Sequence, residues 1–414
     1  MRLSWKSVII FTVVYIIITL VTLYRLYSDV IFRLKSNGKF KGNIHYQEAH
    51  DAWMNTSEFE SVPQERNIYK PVTSPYTVEI WGKAALGLYL WKHVLGGKLQ
   101  NVQNGFIQQG YLTVNDVTFI YRSGPGIIQT TVPSDVQYLI LVLNGRSEEK
   151  IKSAKLWLDY LPLYPNLKKM AVVLLGNEMC DNNWILPYVH SRGGRIDLVF
   201  LVYDSPLIDN VEFYQWPLGV AVYRGFPNVN PESVDVTSPR SHVCNFLGTV
   251  YENSSREILS RIIKSIDFHD NCIILERKRW LPLETEDSLK YYIDSLRKSD
   301  LTLCPVGKNT ECYRIYEAMT LGSVPIIENL RTDGNCDTSD VAPLRLLKRY
   351  DAPVIYVKSW YELHELLKQE AELTLEEKVE RRTNVVKWYN SFKRKLSNHF
   401  IKVIKHKFFA DKET

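Results

Sequence analysis

SDLTLCPVGKNTECYRIYEAMTLGSVPIIE, residues 299–328, reads as strand, loop, helix and strand in succession. DLTLC and VPII are apolar at consecutive positions, the pattern of parallel strands covered on both faces. Between them a polar loop, Val306 to Thr310, leads into a helix that opens near Glu311 and closes at Gly322. A strand, a loop and a helix N-terminus aim free backbone N–H groups at one point, which suits a diphosphate. Arg314 and Glu317 stand three apart on one face of that helix. They offer a bidentate fork for phosphate and a two-oxygen acceptor for a ribose diol, or else a plain surface ion pair.

Outward from this stretch the same alternation continues. VCNFLG, NCIIL and PVIYV read as further strands, with helices at 254–266, 285–298, 309–321 and 360–370. Upstream, YTVEIW, VQYLILVLNG, MAVVLLG and IDLVFLVYD alternate with the amphipathic KAALGLYLWKHVL and SEEKIKSAKLWLDYL. A polar, Pro-rich segment, FPNVNPESVDVTSPR (226–240), divides the two series. The prediction is an α/β chain of two doubly wound lobes facing a cleft, residues 76–240 and 241–370. Residues 371–414 add a C-terminal helix, with Thr374 as N-cap, Glu377 completing a capping box, and an apolar face through Leu375, Val379, Val385, Val386, Trp388 and Phe392. Such a helix is long enough to cross back onto the first lobe. Lys387, Lys393, Arg394 and Lys395 are expected on its solvated face.

SVIIFTVVYIIITLVTLY, residues 7–24, carries no charge between Lys6 and Arg25 and spans ~27 Å as a helix, enough for a thin bilayer. It exceeds the apolar core of a cleaved signal and no small-x-small site follows, so an uncleaved signal anchor is predicted. Residues 1–6 become a cytoplasmic tail and the polar residues 25–75 a stem. Asn55 and Asn253 head glycosylation tripeptides, useful only if the body is luminal. This is the layout of a Golgi type II membrane enzyme. The six cysteines, Cys180, Cys244, Cys272, Cys304, Cys312 and Cys336, allow up to three disulfides, or several stay as buried thiols.

The 414 residues are 45% apolar and 23% charged, which excludes disordered, fibrous and multi-span classes. With 51 Lys and Arg against 46 Asp and Glu, the charge of +5 is too dispersed for a nucleic-acid footprint. There is no G-x-x-x-x-G-K-S/T, G-x-S-x-G or H-E-x-x-H, and Gly124-Pro125-Gly126 is not a dinucleotide fingerprint. The histidines lack ligand spacing and no Asp-x-Asp occurs, so no metal and no other cofactor is expected.

L-C-P-x-G, R-x-x-E-A and G-S-V-P-I-I in the 299–328 stretch resemble the nucleotide-sugar motif of the exostosin-like glycosyltransferases. EIWGKAALGLYLW (79–91), AVVLLGNEMCDNNW (171–184), YDSP (203–206), QWPLGVAVYR (215–224) and CNFLGTVYENSSR (244–256) narrow the resemblance to those members that transfer xylose to ribitol phosphate. The resemblance covers about residues 76–395. It implies a GT-B-like fold and transfer of xylose, with inversion, from UDP-xylose to ribitol 5-phosphate on the O-mannosyl glycan of α-dystroglycan. A complex with other enzymes of that glycan's pathway stays open. The alternatives are another UDP-sugar or acceptor, or a non-catalytic glycan-binding subunit.

The resemblance makes Arg314 and Glu317 the phosphate and ribose contacts. Gly248, Arg256 and Thr310 are the further donor candidates, although Arg256 is equally a residue of a plain helix start capped by Asn253 or Ser254. Inversion needs a general base on the acceptor hydroxyl. Glu178, Asp204 and Asp181, in that order, follow first-lobe strands and qualify by position, and each is also an ordinary loop or cap residue. Trp81 and Lys83 end the first strand, where Trp81 would stack on the polyol and Lys83 attract the acceptor phosphate, or a core Trp and a solvated Lys would serve equally. Trp184 and Trp216 share that ambiguity.

Overall fold

The consecutive apolar runs form the centres of two separate parallel sheets. The computed structural model describes residues 76–102, 105–265 and 271–410. The first sheet has eight strands: β1 Tyr76–Gly82, β2 Gln100–Val102, β3 Ile107–Val114, β4 Val117–Ser123, β5 Tyr138–Asn144, β6 Lys169–Leu175, β7 Leu198–Val202 and β8 Phe213–Trp216. Their order is β2-β3-β4-β1-β5-β6-β7-β8. Strands β4 to β8 with β1 run parallel, and β5, β6 and β7 are buried almost throughout. The second sheet, β9 His242–Thr249, β10 Cys272–Arg277, β11 Ser299–Cys304, β12 Val324–Glu328 and β13 Ile355–Val357, is wholly parallel in the order β10-β9-β11-β12-β13.

Both sheets have a switch point where the strand order reverses, and open α/β sheets take ligands outside the strand ends there. In the first sheet it falls between β1 and β5, and in the second between β9 and β11. The helices are α1 Leu86–Leu88, which runs on as a π-helical turn to Val94, α2 Glu148–Tyr160, α3 Ser255–Ser265, α4 Glu286–Lys298, α5 Tyr313–Thr320, α6 Arg345–Arg349, α7 Leu363–Glu372 and α8 Leu375–Phe409. Helix α5 stops because Gly322 takes φ +73°, a left-handed conformation favouring glycine.

One feature was not anticipated. Strands β2 to β4 add an antiparallel extension, turned at Asn115 and Asp116, both with positive φ, as a tight hairpin requires. The C-terminal helix expected within 371–414 is α8, 35 residues and ~52 Å long. Its predicted capping box is present: Thr374 Oγ1 accepts from the Glu377 N–H, and Glu377 accepts from the Thr374 N–H at 2.8 Å. The helix then spans both lobes. Arg382 forks onto Asp300 of β11, and the Trp388 indole donates to Tyr350 O at 2.7 Å. Further along, Phe400 packs on Phe200 and Trp216 of the first sheet, and Phe409 on Tyr76 and Tyr138. Lys393 is buried over the Tyr389 ring, contrary to the solvated face expected, because α8 is wrapped by both lobes.

Between β8 and β9 the chain forms only the short turns Val222–Arg224 and Pro231–Ser233. Arg240 fixes the end of this connection, donating to Ser299 O at 2.6 Å and Leu321 O at 2.8 Å. The proposed tail, anchor, stem and Asn55 lie outside the described residues. No helix among the described residues is long and apolar enough to cross a membrane.

Candidate active site

At the second sheet's switch point, the loops after β9 and β11 bring two guanidinium groups together. Arg314, in the first turn of α5, donates to Leu247 O at 2.7 Å and lies over the Phe246 ring. Arg256, in the first turn of α3, donates to Thr249 O at 2.9 Å and lies over Tyr251. Glycine is needed beside each: a Cβ on Gly248 would sit 2.7 Å from Arg314 Nη2, and one on Gly307 2.7 Å from Arg256 Nη2. Burial, then the like charge of Arg314, pushes Arg256 below its ordinary pKa. Both Nε atoms are buried without a partner. Two crowded cations with unused donors constitute a site that an anion would relax.

The cysteines report the same field. Cys312, the N-cap of α5, is held well below the usual thiol range by a hydrogen bond from Cys304, with Arg314 and Arg256 adding to that against burial. Both remain reduced, while Cys180–Cys336 and Cys244–Cys272 form disulfides.

Glu317 and Thr310 do not present free groups. Glu317 is buried, accepting from the Ala221 N–H at 3.0 Å and from Tyr292 Oη at 2.6 Å, and burial raises its pKa. It braces the connection between the lobes beside Arg314 and forms no surface ion pair. Thr310, also buried, donates its hydroxyl to Leu330 O and its N–H to Thr332 Oγ1 at 3.1 Å. Neighbouring Glu311 accepts from the Leu218 N–H at 2.7 Å and is pushed up to about 8 by burial.

The first lobe answers with a cation and a carboxylate at its own strand ends. Arg146 follows β5 and pairs with Glu178, which follows β6, at 2.6 Å. The side chains are 30% and 27% exposed, so the pair is open to solvent. Arg146 is fixed from both sides, its N–H donating to Asn144 Oδ1 at 3.0 Å and its O accepting from Asn177 Nδ2 at 3.2 Å. Asn177 is in turn held by Asn182 Oδ1 at 2.9 Å. Burial opposes the Arg146 charge, but Tyr203, Glu178 and Tyr313 outweigh it and hold it protonated. Tyr313 belongs to α5 of the other lobe, and the charge of Glu178 is felt by Arg256.

The remaining first-lobe candidates differ in burial. Asp204 is buried, and its carboxylate caps α6 by accepting from the Leu344 and Arg345 N–H groups, so it clamps the lobes. Asp181 is exposed, on the loop beyond Glu178. Trp81 is 0% exposed, its indole donating to Glu79 and its ring packed on Trp157 and Tyr164, which leaves no face for a polyol. Lys83 donates to Ile127 O at 2.6 Å over the Trp157 ring, and burial lowers its pKa to about 8. Trp216 is core, and Trp184 lies against Gly145.

Three ties hold this edge of the lobes together: the Cys180–Cys336 disulfide, Asn309 Nδ2 donating to Glu178 O at 2.7 Å, and the Asn335 N–H donating to Met179 O at 2.8 Å. The RXYLT1 N-terminal domain matches residues 78–217 and the RXYLT1 C-terminal domain residues 223–409. Ribitol-5-phosphate xylosyltransferase 1 of Danio rerio is 46% identical over 338 residues, 81% of this chain and 78% of that protein. The Homo sapiens protein of the same name is 45% identical over 345 residues, 82% and 78% of the two chains. This chain belongs to the ribitol-5-phosphate xylosyltransferase 1 family.

Among solved structures, the catalytic domain of starch synthase IV from Arabidopsis thaliana, bound to ADP and acarbose, aligns over 81% of this chain and all of its own at 12% identity and a TM-score of 0.41. The family's boundary between its two domains falls at 217–223, in the connection after β8. Among the described residues, no group of three or more His, Cys, Asp or Glu is arranged to hold a metal ion. Sequence reasoning missed Arg146. The signal was available, since Asn144-Gly145 ends a buried strand and the next residue, just ahead of the Ser147 cap of α2, is an arginine.

Proposed function

We propose that this chain transfers xylose to ribitol 5-phosphate, as its relatives' name describes, taking it from UDP-xylose with inversion on a GT-B plan of two lobes, each with a switch point. The observation that carries the reading is the pair Arg256 and Arg314, unsatisfied at Nε and packed against Gly248 and Gly307 at the second sheet's switch point. These groups bind the diphosphate and stabilise the charge that grows on it as the bond to the anomeric carbon breaks. Glu178, solvent-open and near enough for its charge to be felt by Arg256 of the other lobe, takes the proton of the attacking ribitol hydroxyl. The oxygen of that hydroxyl forms the new glycosidic bond, and UDP departs with the electron pair. No side chain becomes a covalent intermediate.

The same reading makes the protein a Golgi type II membrane enzyme acting on the O-mannosyl glycan of α-dystroglycan and needing no divalent cation. The motif resemblance and the uncharged run at 7–24 support it. The test supplies the purified full-length chain with UDP-xylose and a ribitol-phosphate glycopeptide and measures UDP release with and without EDTA. Release in both conditions is expected. Equal rates with UDP-glucose or UDP-N-acetylglucosamine overturn the donor, dependence on manganese overturns the metal-free step, and silence with every donor overturns catalysis.

A further inference from the structure

The donor site uses the cations of the second lobe, which leaves the acceptor's own phosphate to be met. Lys83, the sequence candidate, is spent on Ile127 O. Arg146 is the guanidinium at the first sheet's switch point, at the carboxyl end of β5 next to β1. It offers five N–H donors in a planar fork, and Glu178 takes one edge of it through Nη2. Its main chain is held at both ends by Asn144 and Asn177, so the fork is aimed before any ligand arrives. A phosphate and a carboxylate compete for the same fork geometry.

Resting on the function proposed above, we infer that Arg146 is the subsite for the acceptor's phosphate, and that phosphate binding draws its guanidinium off Glu178 and frees that carboxylate to act as base. Before the acceptor binds, the ion pair occupies the base. When ribitol 5-phosphate binds, its phosphate replaces Glu178 on the fork, and the carboxylate turns to the polyol hydroxyl a few ångströms away. A neutral polyol cannot make this exchange, so the device selects phosphorylated acceptors and ties proton removal to correct docking. The Asn144, Asn177 and Asn182 chain is its frame, since it links the two loops that carry the pair.

The experiment titrates ribitol 5-phosphate into the full-length chain saturated with UDP, and in a separate assay follows xylose transfer from UDP-xylose to ribitol 5-phosphate and to ribitol. Arg146→Gln should weaken ribitol 5-phosphate ~10- to 150-fold and abolish the preference over ribitol, with UDP affinity within about twofold of the parent. Arg146→Lys should recover part of the loss. Glu178→Gln should lower kcat ~100- to 10,000-fold while binding ribitol 5-phosphate more tightly than the parent, because the competing carboxylate is gone. A purely structural ion pair gives no such gain. Unchanged ribitol 5-phosphate affinity in folded Arg146→Gln, or an equal loss of UDP affinity, overturns the inference alone. A parent chain that neither binds nor glycosylates ribitol 5-phosphate overturns the proposed function, and this inference with it.

Discussion

Arg382 of the terminal helix forks onto Asp300 of β11, with Nε 2.8 Å from Oδ1 and both side chains buried. Its other edge donates to Val236 O and Ser238 O in the connection between the lobes, at 3.0 and 2.9 Å. One side chain thus joins helix, sheet and connection. Removing one member of such a pair strands a charge that water cannot reach, whereas replacing both need not. Arg382→Ala should therefore cost ~3–5 kcal/mol in denaturant unfolding, and Arg382→Met with Asp300→Leu considerably less. Equal losses would show that the pair is not the anchor.

The Cys180–Cys336 bond closes a loop with a sequence separation of 156 and crosses from one lobe to the other. Cross-linking so long a loop restricts the unfolded chain, and its removal typically costs ~2–5 kcal/mol. Cys180→Ser should lower the melting temperature by that equivalent and abolish most of the sensitivity to reductant. A parent protein whose melting is indifferent to reductant contradicts this.

Glu311 carries a pH signature. Its folded pKa, about 8, lies above the ordinary glutamate value of 4.5 because the carboxyl is buried. Below the unfolded value both states hold the proton and nothing is lost. Between 4.5 and about 8 the unfolded chain releases its proton while the native one retains it, so stability falls as pH rises through this window. Glu311→Gln keeps an acceptor for the Leu218 N–H and should flatten that fall, leaving the variant the more stable at pH 8. Parallel stability curves for the two proteins would exclude Glu311 as the source.

Arg256→Ala should weaken UDP by ~1.5–3 kcal/mol, the usual value of a lost charged hydrogen bond, without lowering the melting temperature much. Gly307→Ala should act in the same direction more weakly, by displacing the Arg256 guanidinium 2.7 Å from where the new Cβ would stand. Isothermal titration with UDP decides both, and unchanged affinity in Arg256→Ala removes it from the site.

Glu317→Ala should behave differently from what its motif position suggests. It leaves the Ala221 N–H and Tyr292 without their acceptor, so the loss should appear first as stability, ~1–3 kcal/mol by thermal or chemical unfolding. A fully stable variant would show that the brace is dispensable.

The central strands were legible because burial on both faces writes an uninterrupted apolar run, as in YLILVL and VVLL. The capping box at Thr374 and Glu377 and the stop at Gly322 were legible because each needs a particular side chain at a fixed spacing. The hairpin of β3 and β4 was missed because its polar alternation resembles loop, although Asn115-Asp116 marked the turn. At the site, Arg256 and Arg314 were each legible as a cation at a helix start but not as neighbours, and the burial of Trp81 and Asp204 was not legible. A tryptophan or aspartate at a strand end has the same letter whether it meets a ligand or a helix terminus, and only the packing of Trp157 and α6 against them decides. Arg146 and Glu178 are 32 residues apart, and no local periodicity links them.

Helix α8 seats Phe400 and Phe409 on strands that the ribosome delivers some 200 to 330 residues earlier. Until the last turns of α8 emerge, the aromatic seat formed by Tyr76, Tyr138 and Phe200 stays uncovered, so the first-made half cannot mature before Phe409 has been made. A premature stop near codon 395 would therefore spare every residue of the catalytic proposal and still yield a sticky, chaperone-bound product.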